Sequence, residues 1–307
     1  MDHLGKQVLK SVSRSFYLTL RLLPEPMRGA ASLGYLLART SDTLADSIAA
    51  SSDSRQQELD LFRHCIAGES EFAGWSPGMI NAVSDPSEHR LLECSAEILD
   101  GLKKLPKGEA VLVREVLEVI ISGQLLDLER FAHASLQAPV ALRDDSELED
   151  YAWRVAGCVG AFWTKLGFLT LGQRFSNSSE AEMLERGIAY GKGLQLVNIL
   201  RDVAADFAVG RCYLPVVDPQ DPGALLACHG RWLARAEGWL TEGEQYAERL
   251  TLRRLRASTV LPALLAKKTL LALHEKSWEE LQTKIKIPRH MVYRSMIQAF
   301  VIKPAGL

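Results

Sequence analysis

Apolar residues recur along this chain at the three- and four-residue spacing of amphipathic helices, with no sustained alternation and no Asn-Gly hairpin between β-branched runs. The pattern predicts a first helix from about Leu4 to Leu22, stopped by Pro24-Glu25-Pro26. A second carries Tyr35, Arg39, Asp42 and Asp46 and breaks near Ser51-Ser52-Asp53. Gly68 to Pro86, rich in Gly, Ser, Pro and Asp, reads as a loop. A long helix follows Pro106-Lys107-Gly108 and holds Gly123-Gln124 and Asp127. Ser146 and Glu149 have capping-box spacing and open the next helix, which carries Tyr151 and the small-residue stretch from Val155 to Gly160. Small side chains there let another helix, or a flexible apolar ligand, come close to the backbone. A helix from about Ser179 to Phe207 ends near Gly210, two long helices follow, and Pro288 suits the first turn of the last one. Without a repeat or a long linker, the expectation is one all-α domain over residues 1–307.

Two polar stripes interrupt this apolar pattern. Tyr35, Arg39, Asp42 and Asp46 step by four, three and four, and Gln195, Asn198, Asp202 and Asp206 by three, four and four, with Arg201 adjacent. On a helix each set shares one face, so each places two carboxylates at one spot. Like charges that close need a positive partner, all the more in an apolar surround. One such pair alone is most simply a solvated helix face; two in the same context, each beside an arginine, point to a shared chemistry. The donors are oxygens with no clustered His or Cys, which suits Mg2+, an ion that commonly bridges carboxylates and substrate phosphates. Arg39 and Arg201 are suited to phosphate oxygens. The combination describes a device for ionising a diphosphate ester.

Composition narrows the picture. A chain 47% hydrophobic and 24% charged is an ordinary folded protein. Five cysteines without a Cys-x-x-Cys pair read as buried free thiols in a reducing compartment. The most apolar stretch, Val260 to Leu273, is broken by Pro262, Lys267 and Lys268, so no segment reads as a membrane span, and the N-terminus lacks a signal-type core. The expectation is a cytoplasmic protein, with peripheral membrane contact left open. The net charge of −2 conceals a basic tail: from Arg249 to Leu307 twelve Lys/Arg stand against three Asp/Glu. Such a tail could meet anionic lipid, a diphosphate or nucleic acid, but no aromatic-interleaved basic motif supports nucleic acid, and nothing implies a protein partner. Trp232 and Trp239 read as core packing, and Asp127 as equally suited to a salt bridge or a catalytic role.

These residues resemble the head-to-head prenyl synthase family that includes squalene and phytoene synthases. The matching stretches are Ser13-Arg14-Ser15-Phe16-Tyr17; Tyr35, Arg39 and Asp42-Thr43-Leu44-Ala45-Asp46; and Tyr151 with Val155-Ala156-Gly157 and Gly160. Gln195, Asn198-Ile199, Arg201-Asp202 and Asp206 follow, then Gly210-Arg211 and Tyr213-Leu214-Pro215. The resemblance implies an isoprenoid-synthase helical bundle around a central apolar cavity, with the aspartate motifs facing each other at its mouth. It implies metal-side roles for Asp42, Asp46, Asn198, Asp202 and Asp206. It implies substrate-binding roles for Ser13, Arg14, Ser15, Tyr35, Arg39, Gln195, Arg201, Arg211, Tyr213 and Arg289, and a catalytic place for Tyr151 near the reacting carbons.

The implied reaction joins two farnesyl diphosphates through a cyclopropyl intermediate, presqualene diphosphate, with Mg2+ assisting diphosphate departure. The Ser-Arg-Ser-Phe opening, Thr43 after the first aspartate, and Lys284-Ile285-Lys286-Ile287-Pro288-Arg289 are most similar to squalene synthases, which implies NADPH-dependent reduction to squalene. Phytoene or dehydrosqualene synthesis, a stop at presqualene diphosphate, and a catalytically silent helical assembly factor remain the alternatives. Pro288 and Ala45 depart from the family pattern, and no Gly-x-Gly-x-x-Gly element independently marks a dinucleotide site.

Overall fold

The computed structural model describes residues 3–13, 16–274, 276–283 and 285–301. Backbone contacts gather the chain into two compact units, Met1–Glu129 with Lys165–Gly172, and Arg130–Thr164 with Gln173–Leu307.

The first unit runs through α1 (His3–Val12), α2 (Phe16–Leu22), α3 (Glu25–Asp46), α4 (Ser52–Ala67), α5 (Pro77–Ala82), α6 (Pro86–Glu93), α7 (Ser95–Lys103) and most of α8 (Lys107–Arg130). Local chemistry sets these boundaries. Ser51, Ser76 and Asp85 accept hydrogen bonds from the first-turn amides of α4, α5 and α6, and Gly68 ends α4 at φ +86°. α3 packs against α4, α6 and α7 and buries Leu33, Leu36, Leu37 and Leu44. At about 1.5–3 kcal/mol for each fully buried leucine, this face fixes the rotation of α3 and hence the direction of its polar stripe.

The second unit contains α9 (Asp145–Ala152), a π-helical turn at Trp153–Gly157 and the start of α10 (Cys158–Leu171). α11 (Glu180–Ala208), α12 (Pro222–Arg249), α13 (Arg253–Leu273), α14 (Trp278–Leu281) and α15 (Arg289–Val301) follow. α11 lies along α12 and the π turn, and α13 packs on α12 and α15. The small-residue stretch does bring helices together, because a methyl group on Gly160 would overlap the Gly187 carbonyl, and one on Gly191 the Ala156 carbonyl. The Thr164 and Tyr246 hydroxyls then hydrogen-bond at 2.9 Å. Two two-residue strands, β1 (Val140–Ala141) and β2 (Arg211–Cys212), pair in parallel.

Several elements differ from the sequence expectation. The first predicted helix is two: α1 stops at Val12, where the Ser13 hydroxyl donates back to the Leu9 carbonyl and the Phe16 amide bonds the Ser13 carbonyl at 2.8 Å. The Gly68–Pro86 loop contains α5. Asp144, not Ser146, caps α9: its carboxylate accepts the Glu147 amide at 3.0 Å and the Ser146 hydroxyl at 2.6 Å, which occupies the expected cap. The expectation that no segment could span a membrane is also corrected. The continuous helical run Asp145–Arg174 is long and apolar enough by length and composition, with a mean hydropathy of 1.3 in its best window. The Gly160–Gly187 contact and the Thr164–Tyr246 hydrogen bond tie it to α11 and α12 as a packed helix.

Candidate active site

The first acidic pair occupies the C-terminal end of α3, whose last turn holds no basic residue. Backbone carbonyls make that end partially negative, so two carboxylates there are unfavourable without a cation. Asp42 accepts a 2.7 Å hydrogen bond from Gln124 Nε2 on α8. Arg39 lies 3.9 Å from Asp42, but its stronger contact is a hydrogen-bonded ion pair with Glu88 on α6. Burial among surrounding atoms, then repulsion from Asp46, pushes the Asp42 carboxyl from 3.8 up to about 6. Solvent still reaches 45% of the Asp42 side chain, so the group lies in an open recess rather than a sealed one. The Tyr35 hydroxyl donates to the Val12 carbonyl at 3.3 Å, and its ring stacks on Phe16 at 5.1 Å. Tyr35 and Ser13 therefore both secure the end of α1. Arg14 and Ser15 lie outside the described residues.

The second pair occupies the corresponding end of α11, where the last turn again lacks a basic residue. Asn198 is exposed, and Gln195, Arg201, Asp202 and Asp206 are half-buried. Arg201 clasps the neighbouring Asp202 with two hydrogen bonds, Nε to Oδ1 at 2.8 Å and Nη2 to Oδ2. This clasp holds the arginine more firmly protonated. A cleft of about 860 Å3 opens beside it, lined by Arg201, Asp202, Thr269, Thr283, Lys286 and Arg289 among others. Arg289, expected to bind substrate, thus lines the same cleft as Asp202, as does Lys286.

The Gly210–Pro215 segment is positioned by backbone geometry. Gly210 has φ +80°, and a side chain there would collide with the Ser135 backbone. The Val140 amide bonds the Gly210 carbonyl at 2.9 Å, and the Leu142 amide bonds the Cys212 carbonyl at 3.0 Å. Beyond the half-buried Arg211, Tyr213 stacks on Tyr151 at 4.8 Å and meets the edge of Phe131 at 5.2 Å. Tyr151 is therefore one member of an aromatic pair, with its hydroxyl 3.4 Å from that of Tyr213.

The donor set suits Mg2+. Among the described residues no three His, Cys, Asp or Glu side chains close around an ion by themselves. Carboxylate pairs at two helix ends leave coordination positions to water and phosphate oxygens, as Mg2+ prefers. Two polar partners escaped the sequence reading. Glu88 diverts Arg39 and Gln124 braces Asp42, from positions 49 and 82 residues away, a separation no local pattern reveals. Gln124 also buries its Oε1 with no protein partner, leaving an acceptor for water at the recess.

Comparison with known proteins places this geometry. Residues 9–291 match the squalene/phytoene synthase family. A presqualene diphosphate synthase of Zymomonas mobilis is 31% identical over 205 residues, 66% of this chain and 56% of that protein. A bifunctional lycopene cyclase/phytoene synthase of Phaeosphaeria nodorum is 28% identical over 217 residues, 70% of this chain and 34% of that protein. The chain thus spans about a third to three-fifths of the length of the curated relatives it matches. The solved structure of TcSQS with a ligand superposes with a TM-score of 0.77 over 96% of this chain and 85% of that one. At 22% identity this establishes the all-α isoprenoid-synthase fold. With its family matched over most of its length, the chain belongs to the squalene/phytoene synthases.

Proposed function

We propose that this chain condenses two prenyl diphosphates head to head, with farnesyl diphosphate as substrate and squalene as product. The observation that carries this reading is the repeated arrangement of two carboxylates at a helix C-terminus with an arginine adjacent, at Asp42/Asp46 and Asp202/Asp206. Asp42, Asp46, Asn198, Asp202 and Asp206 would hold Mg2+ with the diphosphate. Bound there, the ion would supply Lewis-acid stabilisation of the departing diphosphate.

The remaining work falls to the protein's own groups. Arg201, released from Asp202, and Arg39 would meet diphosphate oxygens where negative charge develops. Lys286 and Arg289 supply two further cations beside Asp202 for a substrate diphosphate or the phosphates of NADPH. The stacked Tyr151–Tyr213 pair offers aromatic faces to an allylic cation, which an aromatic quadrupole favours. Exclusion of water from the reacting carbons would protect the cations from quenching.

The relatives named presqualene diphosphate synthases support a second reading, in which the reaction stops at the cyclopropyl intermediate. One experiment separates the alternatives. Purified protein is incubated with farnesyl or geranylgeranyl diphosphate and Mg2+, with and without NADPH, and the products are identified by mass spectrometry. Reductant-dependent squalene supports the first reading. Presqualene diphosphate regardless of NADPH supports the second, product from geranylgeranyl diphosphate alone makes the chain a phytoene synthase, and no product from either substrate overturns the proposal.

A further inference from the structure

The outer face of α13 and α15 combines two properties that the proposed reaction does not use. Of the exposed large apolar side chains, Met291, Tyr293, Ile297, Phe300 and Val301 all lie on the thirteen-residue α15, and Leu271 lies on α13. Scattered exposed apolar residues are ordinary, but a cluster marks a surface that meets something. Leu271, Ile297 and Val301 are 70%, 69% and 69% exposed, so they stand out from the fold rather than fill a seam. α15 is held by its opposite side, where Ser295 and Ala299 are buried and Lys268 Nζ donates to Ser295 Oγ at 2.6 Å. Arg253 Nε adds a 3.2 Å bond to the Phe300 carbonyl. An apolar groove of about 890 Å3 runs between the two helices past Leu271, Met291, Ile297 and Val301.

Charge identifies the occupant. Neither helix contains an aspartate or glutamate, while together they carry Arg253, Arg254, Arg256, Lys267, Lys268, Arg289 and Arg294. Arg256 is buried, Lys267 pairs with Glu244 and Arg289 borders the cleft beside Asp202, but Arg253, Arg254 and Arg294 reach solvent. Nucleic acid would use the cations and leave the apolar stripe in water. An anionic bilayer satisfies both: its headgroups take the arginines, its acyl boundary takes Ile297, Phe300 and Val301, and Tyr293 suits the interface between them.

We propose that the α13–α15 face seats the protein on a membrane surface bearing anionic lipid. The inference does not depend on which reaction the chain catalyses, so a failed activity assay would leave it standing. The test is cosedimentation of the full chain with vesicles of phosphatidylcholine alone or mixed with phosphatidylglycerol. Binding is expected only to the mixed vesicles, and to weaken as salt is raised. Ile297→Asp with Val301→Asp should weaken it by at least about tenfold, by removing the inserting surface. Arg294→Ala should weaken it about fivefold, the contribution of one interfacial cation. Both variants alter exposed positions, and unchanged melting curves would show that they fold; should the double variant unfold, Arg294→Ala decides alone. No sedimentation with the mixed vesicles at low salt overturns the proposal, as does full binding by folded Ile297→Asp/Val301→Asp, which would reveal attraction by charge alone.

Discussion

The ends of α3 and α11 carry the same spacing of aspartates beside an arginine, yet they rest in different electrostatic states. At α3 the arginine is drawn towards another carboxylate: Arg39 hydrogen-bonds Glu88 and stands 3.9 Å from Asp42, which takes its hydrogen bond from the neutral Gln124 amide and has its carboxyl pushed up to about 6. At α11 the arginine remains: Arg201 clasps Asp202 through both carboxylate oxygens. The difference teaches that spacing sets which groups share a face, while tertiary partners decide which charge is left over. At α3 the neighbouring arginine is turned to another carboxylate, while the α11 pair holds one that an anion could draw off.

The sharpest test removes one charge from each end. Asp42→Asn and Asp202→Asn should each lower turnover by about 100-fold or more, as expected for loss of a key electrostatic stabiliser. Product formation from prenyl diphosphate and Mg2+ measures this, and near-normal rates in both would end the proposed metal role. A more selective change is Gln124→Leu, which deletes the donor to Asp42 while leaving the carboxylate. Turnover should fall about tenfold, the worth of a hydrogen bond to a charged group. Because the Gln124 bond favours the ionised form, its loss should move the acid limb of the pH–rate profile upward. A purely packing role for Gln124 would leave that limb in place.

Stability, unlike turnover, should separate the two ends. The folded Asp42 pKa is raised, so between about 4 and 6 the folded state holds more protons than the unfolded chain, and stability falls as pH rises through that window. In metal-free protein at alkaline pH, Asp42→Asn should therefore be the more stable form. With nearly half the side chain in solvent, the gain should be only about 1 kcal/mol, or ~1–2 °C in melting temperature, and should vanish towards pH 4. Differential scanning calorimetry across pH reads this directly. The smallest effect is expected for Asp202→Asn, whose half-exposed arginine pair contributes about 0.5 kcal/mol, so its melting temperature should stay nearly unchanged.

Much of this architecture could be read from the sequence because local chemistry writes helix boundaries. The Pro24–Pro26 entry to α3, Ser51 before α4, Ser179 before α11 and Gly210 after it all act within a few residues of themselves. The break after Val12 was hidden, since it rests on a serine turning back to its own helix amid continuing apolar spacing. At the candidate site the stripes were legible as helix faces. Their electrostatic states were not, because Glu88 and Gln124 reach α3 from other helices. Nor could spacing reveal that Lys286 and Arg289 border the cleft beside Asp202, which depends on how the segment after α14 returns to α11 and α13.

The π turn at Trp153–Gly157 has a consequence for how this region tolerates change. It adds a residue to the winding between Tyr151, which faces Tyr213, and Gly160, which meets Gly187. Rewinding the turn as α-helix at its present length would swing Tyr151 by about 100° relative to Gly160, whereas excising one residue there would let the coil regularise with both ends nearly in place. Such a deletion should keep the helix and leave aromatic stacking and close glycine packing satisfied together, so this turn marks a place where the chain can lose a residue without losing its register.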